Sequence, residues 1–269
     1  RIVWYLKILK AYLQNQLTPQ MLGNYKFKSM EQLQQDIFHF YGFNDAKIDS
    51  YQYQTQSIGQ VIQDLRDKED TWKKKQDANI GVKQQPGDYE LFKFGDGTTW
   101  WFVNRAYCPD EGRSGQHCGN VVGKSETKQR ILSLRNSQNQ VLLTFILEPN
   151  GTLGEMKAKG NRKPDEILHP QIMKLLMWDK IKGISGQGYL PDANFSIFDL
   201  NDNNLKYIDQ NNPKLITDQI KITPIEIIKA PDWCKQKYGK LAKVPQELLS
   251  NPSIETWSQI TDKNPKLVI

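Results

Sequence analysis

Alternation of apolar and polar positions is strongest between residues 89 and 159, and a period of two predicts strands. Residues 130 to 135 (RILSLR), 141 to 147 (VLLTFIL) and 153 to 159 (LGEMKAK) are short runs rich in Leu, Ile, Phe and Thr. Polar turn residues part them, which predicts a three-stranded antiparallel meander. The second turn, Pro149-Asn150-Gly151, offers Asn-Gly for the positive φ angles of a tight hairpin, whereas the first, Asn136 to Gln140, is a longer polar loop. Successive side chains point to opposite faces of a strand. Leu132, Leu134, Phe145 and Met156 therefore share a buried side, and Ser133, Arg135, Thr144, Glu155 and Lys157 line the other. Upstream, YELFKF (89 to 94) and TTWWFVN (98 to 104) read as a hairpin around Gly95-Asp96-Gly97. Between hairpin and meander, Arg105 to Asn120 predicts a helix. Pro109 suits its first turn, Asp110 and Glu111 complement its N-terminal dipole, and Gly119-Asn120 ends it. The order β-β-α-β-β-β-α predicts an α+β unit with one helix packed on an antiparallel sheet.

On either side the period changes to 3.6. Ile2, Leu6, Leu9 and Leu13 form one stripe of an amphipathic helix, read first as core packing and second as a helix lying on a membrane surface. The run is too short to span a bilayer, is broken by Lys7 and Lys10, and lacks a signal-peptide cleavage site. Ser29-Met30-Glu31-Gln32 and Ser57-Ile58-Gly59-Gln60 match capping boxes, each ahead of a helical run. Lys73-Lys74-Lys75 reads as a solvated helix end, because acidic residues flank it closely. A further helix is predicted from Gln171 to Trp178, then a Gly-rich stretch from 182 to 189. Pro-punctuated apolar runs follow beyond residue 200, with Thr223-Pro224-Ile225-Glu226 as a third capping box. The chain thus divides into a helical region (1 to 80), an α+β domain (81 to 200) and a C-terminal region of short helices (201 to 269).

Composition adds constraints. With 269 residues, 38% hydrophobic and 25% charged, the chain can bury a substantial core. It opens on Arg1 rather than Met, so it is expected to be a piece or processed form of a longer protein. Three cysteines do not make a disulfide framework, which points to a reducing compartment. The net charge of +6 is spread thinly: 13 basic and 12 acidic residues over 1 to 97, 10 and 7 over 98 to 170, 13 and 11 over 171 to 269. No region is basic enough to read as a nucleic-acid arm.

Several chemistries are disfavoured by spacing. Cys108, His117 and Cys118 lack the paired hooks of a structural zinc site, so neither metal nor cofactor is expected. Gly123-Lys124-Ser125 lacks the first glycine of a phosphate-binding loop, since Cys118 occupies that position. Two candidate sites remain. In the first, Cys118 beside His117 is a nucleophile with a neighbouring base, and Arg135, Glu155 and Asn161 supply charge stabilisation, acid and orientation; His169 is the other candidate base. A buried core Cys118 and a polar helix-end His117 are the structural reading of the same pair. In the second, Lys157 and Lys159 share a strand face, and Gly160-Asn161 curls Arg162 and Lys163 towards them, giving a basic cluster for phosphate or nucleic acid. A solvated strand end is its structural reading.

The string WWFVNRAYCPDEGRSGQHCGN, followed by ILSLR, TFIL, LGEMKAKGNRKP and HPQIMKLL, resembles the PcfJ-like domain family and related phage- and plasmid-borne proteins. The matching positions are His117-Cys118-Gly119, Ser133-Leu134-Arg135, Thr144, Gly154, Lys157 and Asn161; Gln116 departs from the pattern. The resemblance covers residues 98 to 190, about a third of the chain. It implies a phage or mobile-element context, in a bacterial cytoplasm or a virion, and supplies no reaction. The expectation is a non-enzymatic binding or structural component with other proteins of such an assembly as partners. An enzyme acting on a phosphate-rich or nucleotide-derived substrate through the polar sheet face is the alternative.

Overall fold

The computed structural model describes residues 3–41, 55–75, 80–105, 108–117, 128–186, 188–244 and 249–250. In chain order its elements are α1 (Val3–Leu13), α2 (Pro19–Leu22), α3 (Met30–Tyr41), α4 (Ile58–Lys75), β1 (Tyr89–Lys93), β2 (Thr99–Val103), α5 (Pro109–Gly115), β3 (Arg130–Arg135), β4 (Val141–Leu147), β5 (Thr152–Ala158), α6 (His169–Leu176), β6 (Gly183–Ile184), α7 (Asp202–Asn211), α8 (Lys214–Ile222) and α9 (Asp232–Ala242). The fold is α+β. The strands form one sheet in sequential order, β1 to β6.

Three hairpins in that sheet close in the same way. Phe94, Asn136 and Glu148 each donate their N–H to the carbonyl four residues on, and each accepts from the N–H three residues on (2.9–3.1 Å). The third loop residue then carries the positive φ: Gly97 (83°), Asn139 (59°) and Gly151 (83°). This is a type I turn followed by a left-handed residue, so at 149 to 151 only the glycine takes positive φ and Asn150 has a different task. Its Oδ1 accepts from Thr152 N–H at 3.0 Å, as Asp96 Oδ1 does from Thr98 N–H at 2.9 Å. The Asp/Asn-Gly-Thr sequence shared by the first and third hairpins thus encodes the same turn, and the second reaches it with Asn139 at the left-handed position.

β1 to β5 pair antiparallel as neighbours, and β6 joins β5 in parallel, with Thr152 opposite Gly183 and Leu153 opposite Ile184. The sheet is therefore mixed rather than purely antiparallel. A parallel neighbour needs a crossover, which the segment containing α6 provides. A two-residue strand offers no alternation to read, which is why it escapes sequence patterning.

The helices depart from expectation in three places. α5 is shorter than 105 to 120 because Gln116 takes a left-handed conformation (φ 51°) and closes the helix at Gly115; residues 118 to 127 lie outside those described. In α1 the buried stripe is Trp4, Ile8 and Ala11, whereas Leu6 and Leu13 are 50% and 71% exposed. Rotating the helix this way buries the large Trp4 indole at the expense of two leucines. At Thr223 a 3₁₀ helix (Pro224–Lys229) replaces the capped α-helix, and the Thr223 hydroxyl meets the Glu226 carboxylate (3.2 Å) instead of capping. The two N-terminal caps form: Ser29 Oγ accepts from Gln32 N–H (3.0 Å), and Ser57 and Gln60 cap each other reciprocally (2.9 and 3.3 Å).

Each sheet face packs differently. Leu132, Leu134, Leu143, Phe145 and Met156 point to one side and are fully buried against Ile172 and Leu175 of α6 and apolar residues of α7 to α9. That core runs from Trp100 to Leu249, so the sheet and the C-terminal helices share it. A second cluster, built on Trp4, Leu33, Ile37, Ile58 and Leu65, holds α1, α3 and α4 together and takes in Tyr189. A third, with Trp101, Val103, Cys108, Ile131 and Val141, seats α5 on the opposite sheet face. Among the described residues no helix is long and apolar enough to cross a membrane.

Candidate functional site

The sheet register aligns the polar positions. Ser133 stands opposite Thr144, and Thr144 opposite Lys157, forming a row across β3, β4 and β5 on the face away from the main core. Arg135 and Glu155 flank that row on the same face, as strand alternation requires. This face is covered, however, and not open to solvent. α5 lies over its β3–β4 side, pinned where Ser114 Oγ accepts from the Val141 N–H (2.9 Å). Segments from α3, α4 and residues 188 to 190 lie over its β5 side. Arg135 is 1% exposed, Ser133 0% and Lys157 4%.

Beneath α5 the row becomes a network centred on Glu111, which is fully buried. Its Oε1 accepts from Thr144 Oγ1 (2.8 Å), and its Oε2 from Ser133 Oγ (2.9 Å) and from the Arg135 guanidinium (3.3 Å). Arg135 Nε donates to Ser133 Oγ (2.9 Å), and its guanidinium lies over the Trp101 ring, 5.4 Å from the centroid. His117 Nε2 is 2.9 Å from Thr144 Oγ1. The Thr144 hydroxyl proton is committed to Glu111, so the pattern of bonds assigns the donor role and the ring proton to His117 Nε2. Gly115 makes this approach possible, because a Cβ there would stand 2.5 Å from the imidazole. Burial pushes the Glu111 carboxyl above the ordinary glutamate range, against the pull of Arg135 and the two hydroxyls.

On the β5 side a second network centres on Glu69 of α4. Its carboxylate meets His39 Nε2 (3.1 Å), Asn161 Nδ2 (3.2 Å) and the Tyr189 hydroxyl (3.4 Å). The His39 and Tyr189 rings stack at 3.5 Å, and Lys157 Nζ sits 5.6 Å from the Tyr189 ring centroid while pairing with Glu155. Burial and the Glu69 charge push the Tyr189 phenol up, so it serves as a neutral donor. The residues expected from sequence are thus split: His117 and Arg135 belong to the Glu111 network, and Glu155, Lys157 and Asn161 to the Glu69 network. Cys118 lies outside the described residues. His169 packs edge-on against Phe195 at 5.8 Å, with the main core on the other side of the sheet.

The basic cluster does not assemble as expected. β5 ends at Ala158, so Lys159 leaves the strand and opens a 3₁₀ turn (Lys159–Asn161) in which Gly160 and Asn161 both take positive φ. Lys157 turns inward to Glu155, Lys163 pairs with Asp199 (2.8 Å) and approaches Glu226 (3.9 Å), and Arg162 Nε donates to the Lys159 carbonyl (3.2 Å). The positive φ values redirect the chain and send the cations to different partners.

Sequence reasoning passed over Glu69, His39 and Tyr189. A signal for Glu69 exists: Ile58, Val61, Ile62 and Leu65 mark a helical stripe, and Glu69 continues it as a carboxylate on an apolar face. Among the described residues, no group of three or more His, Cys, Asp or Glu side chains is placed to hold a metal ion. No protein-family model, curated protein or solved structure matches the chain.

Proposed function

We propose that this chain is a non-enzymatic binding or structural component of a phage or mobile-element assembly, placed in a bacterial cytoplasm or a virion. The context comes from the resemblance of residues 98 to 190 to PcfJ-like proteins. The observation that carries the non-enzymatic reading is the closure of the polar sheet face. Glu111, Ser133, Arg135 and Thr144 satisfy one another beneath α5, and Lys157 and Asn161 are spent on Glu155 and Glu69. Substrate binding wants a concave site with convergent groups that still have bonds to give, whereas these groups are committed to holding layers together. The alternative, an enzyme using this face on a phosphate-rich or nucleotide-derived substrate, requires α5 or the 188 to 190 segment to swing away.

The test is fractionation of the element that encodes the chain. The tagged protein is expected to sediment in fixed stoichiometry with its particles or conjugative complexes, and the purified chain to leave nucleotides and oligonucleotides unchanged. A free, unassembled protein that hydrolyses either, and loses that activity with Thr144→Ala, would overturn the reading.

A further inference from the structure

A cavity of about 340 Å³ opens between α3, α4 and the segments at 24 to 28 and 190 to 192. Its walls carry three cations, Lys26, Lys28 and Arg66, against two carboxylates, Asp36 and Asp192. Both carboxylates are engaged. Asp36 accepts from the Tyr25 hydroxyl (2.6 Å) and Gln32 Nε2 (2.8 Å), while Asp192 sits 81% exposed at the rim, 3.5 Å from Lys28. Burial and Asp36 raise the Tyr25 phenol, so it stays a neutral donor and Asp36 keeps that partner. Lys26 has no ion-pair partner among the described residues, and Arg66, which hydrogen-bonds the Tyr189 side chain, has no hydrogen-bond partner at its Nε. Arg66 and Lys26 both line the cavity, so an oxyanion that enters it meets two positive side chains, while both lining carboxylates are already engaged.

We propose that this cavity binds the phosphate group of a small molecule, with Arg66 as the anchoring fork and Lys26 as a second, mobile cation. The planar guanidinium presents parallel donors that match two oxygens of a phosphate, and the volume lies in the range of small-molecule sites rather than that of a single ion. Arg66 also stands beside Tyr189, the partner of Glu69, so an occupant would touch the network that joins the helical region to the sheet. This site adjoins the Glu69 network through Arg66 but shares no residue with the Glu111 network, and it does not depend on the assembly role.

The experiment is calorimetric titration of the whole chain, at low ionic strength, with inorganic phosphate, adenosine 5′-monophosphate and adenosine. Saturable binding of the monophosphate but not of adenosine is expected, weakened about ten-fold or more in Arg66→Gln and about three-fold in Lys26→Ala. Lys26 is exposed and unpaired, so its variant tests the site without risk to folding. Inorganic phosphate binding as tightly as the monophosphate would identify the free anion as the occupant; the reverse order would identify an esterified one. No saturable binding of either phosphate, or affinity unchanged in both variants, would overturn the proposal.

Discussion

Replacing Arg135 with Met removes the cation from a pair in which both members are sealed: Arg135 is 1% exposed and Glu111 0%. The methionine fills much of the stem volume against Trp101 but leaves a buried carboxylate facing only hydroxyls. Breaking a buried pair from one side costs about 3–5 kcal/mol, a large fraction of the roughly 5–15 kcal/mol that stabilises an ordinary domain. Glu111→Gln breaks the same pair from the other side and leaves the sealed Arg135 guanidinium without its counter-ion, so a loss of about 3–5 kcal/mol is expected there too. In the double variant no buried charge is stranded, so its loss should fall short of the sum by about 1–3 kcal/mol. Denaturant unfolding followed by tryptophan fluorescence measures all three. Additivity within about 0.5 kcal/mol, or a loss below about 1 kcal/mol for Arg135→Met, would refute the claim that the two groups are coupled and buried.

The same carboxyl gives a pH signature. Its folded-state pKa is raised by burial, so the stability it contributes is fully present below the unfolded value and is lost as pH rises through the folded one. The stability of the wild-type chain minus that of Glu111→Gln, from urea melts across acid to neutral pH, should therefore fall as pH rises; a difference that grows would contradict it. On α1, Trp4→Ala should cost about 3–5 kcal/mol and Leu13→Ser no more than about 0.5, measured by thermal unfolding, and the opposite order would restore the Leu6–Leu13 stripe as the buried one.

How much of this was legible in sequence depended on the distance between partners. The hairpins were readable because each is closed by its own few residues, and the division of Leu132, Leu134, Phe145 and Met156 from Ser133, Arg135 and Thr144 follows from alternation alone. What covers the polar face was not. Glu69 and Asn161 are 92 residues apart, and Glu69 and Tyr189 are 120, so no local pattern links them. Glu111 was misread for a related reason: an acidic residue in a first helical turn looks like a dipole complement until tertiary packing turns it inward. The basic run at 157 to 163 failed on backbone geometry, since two consecutive positive φ values scatter side chains that a straight strand would have aligned.

The central claim is that the polar sheet face is a closed structural layer, and the Arg135 Nε–H reports on it directly. Buried and donated to Ser133 Oγ, that proton should exchange slowly with solvent, giving an NMR signal that persists at mildly alkaline pH and disappears in Arg135→Met. The exposed Arg162, whose Nε donates to the Lys159 carbonyl, should exchange fast under the same conditions. An Arg135 signal lost as readily as that of Arg162 would mean that the layer opens to water, and would contradict the account.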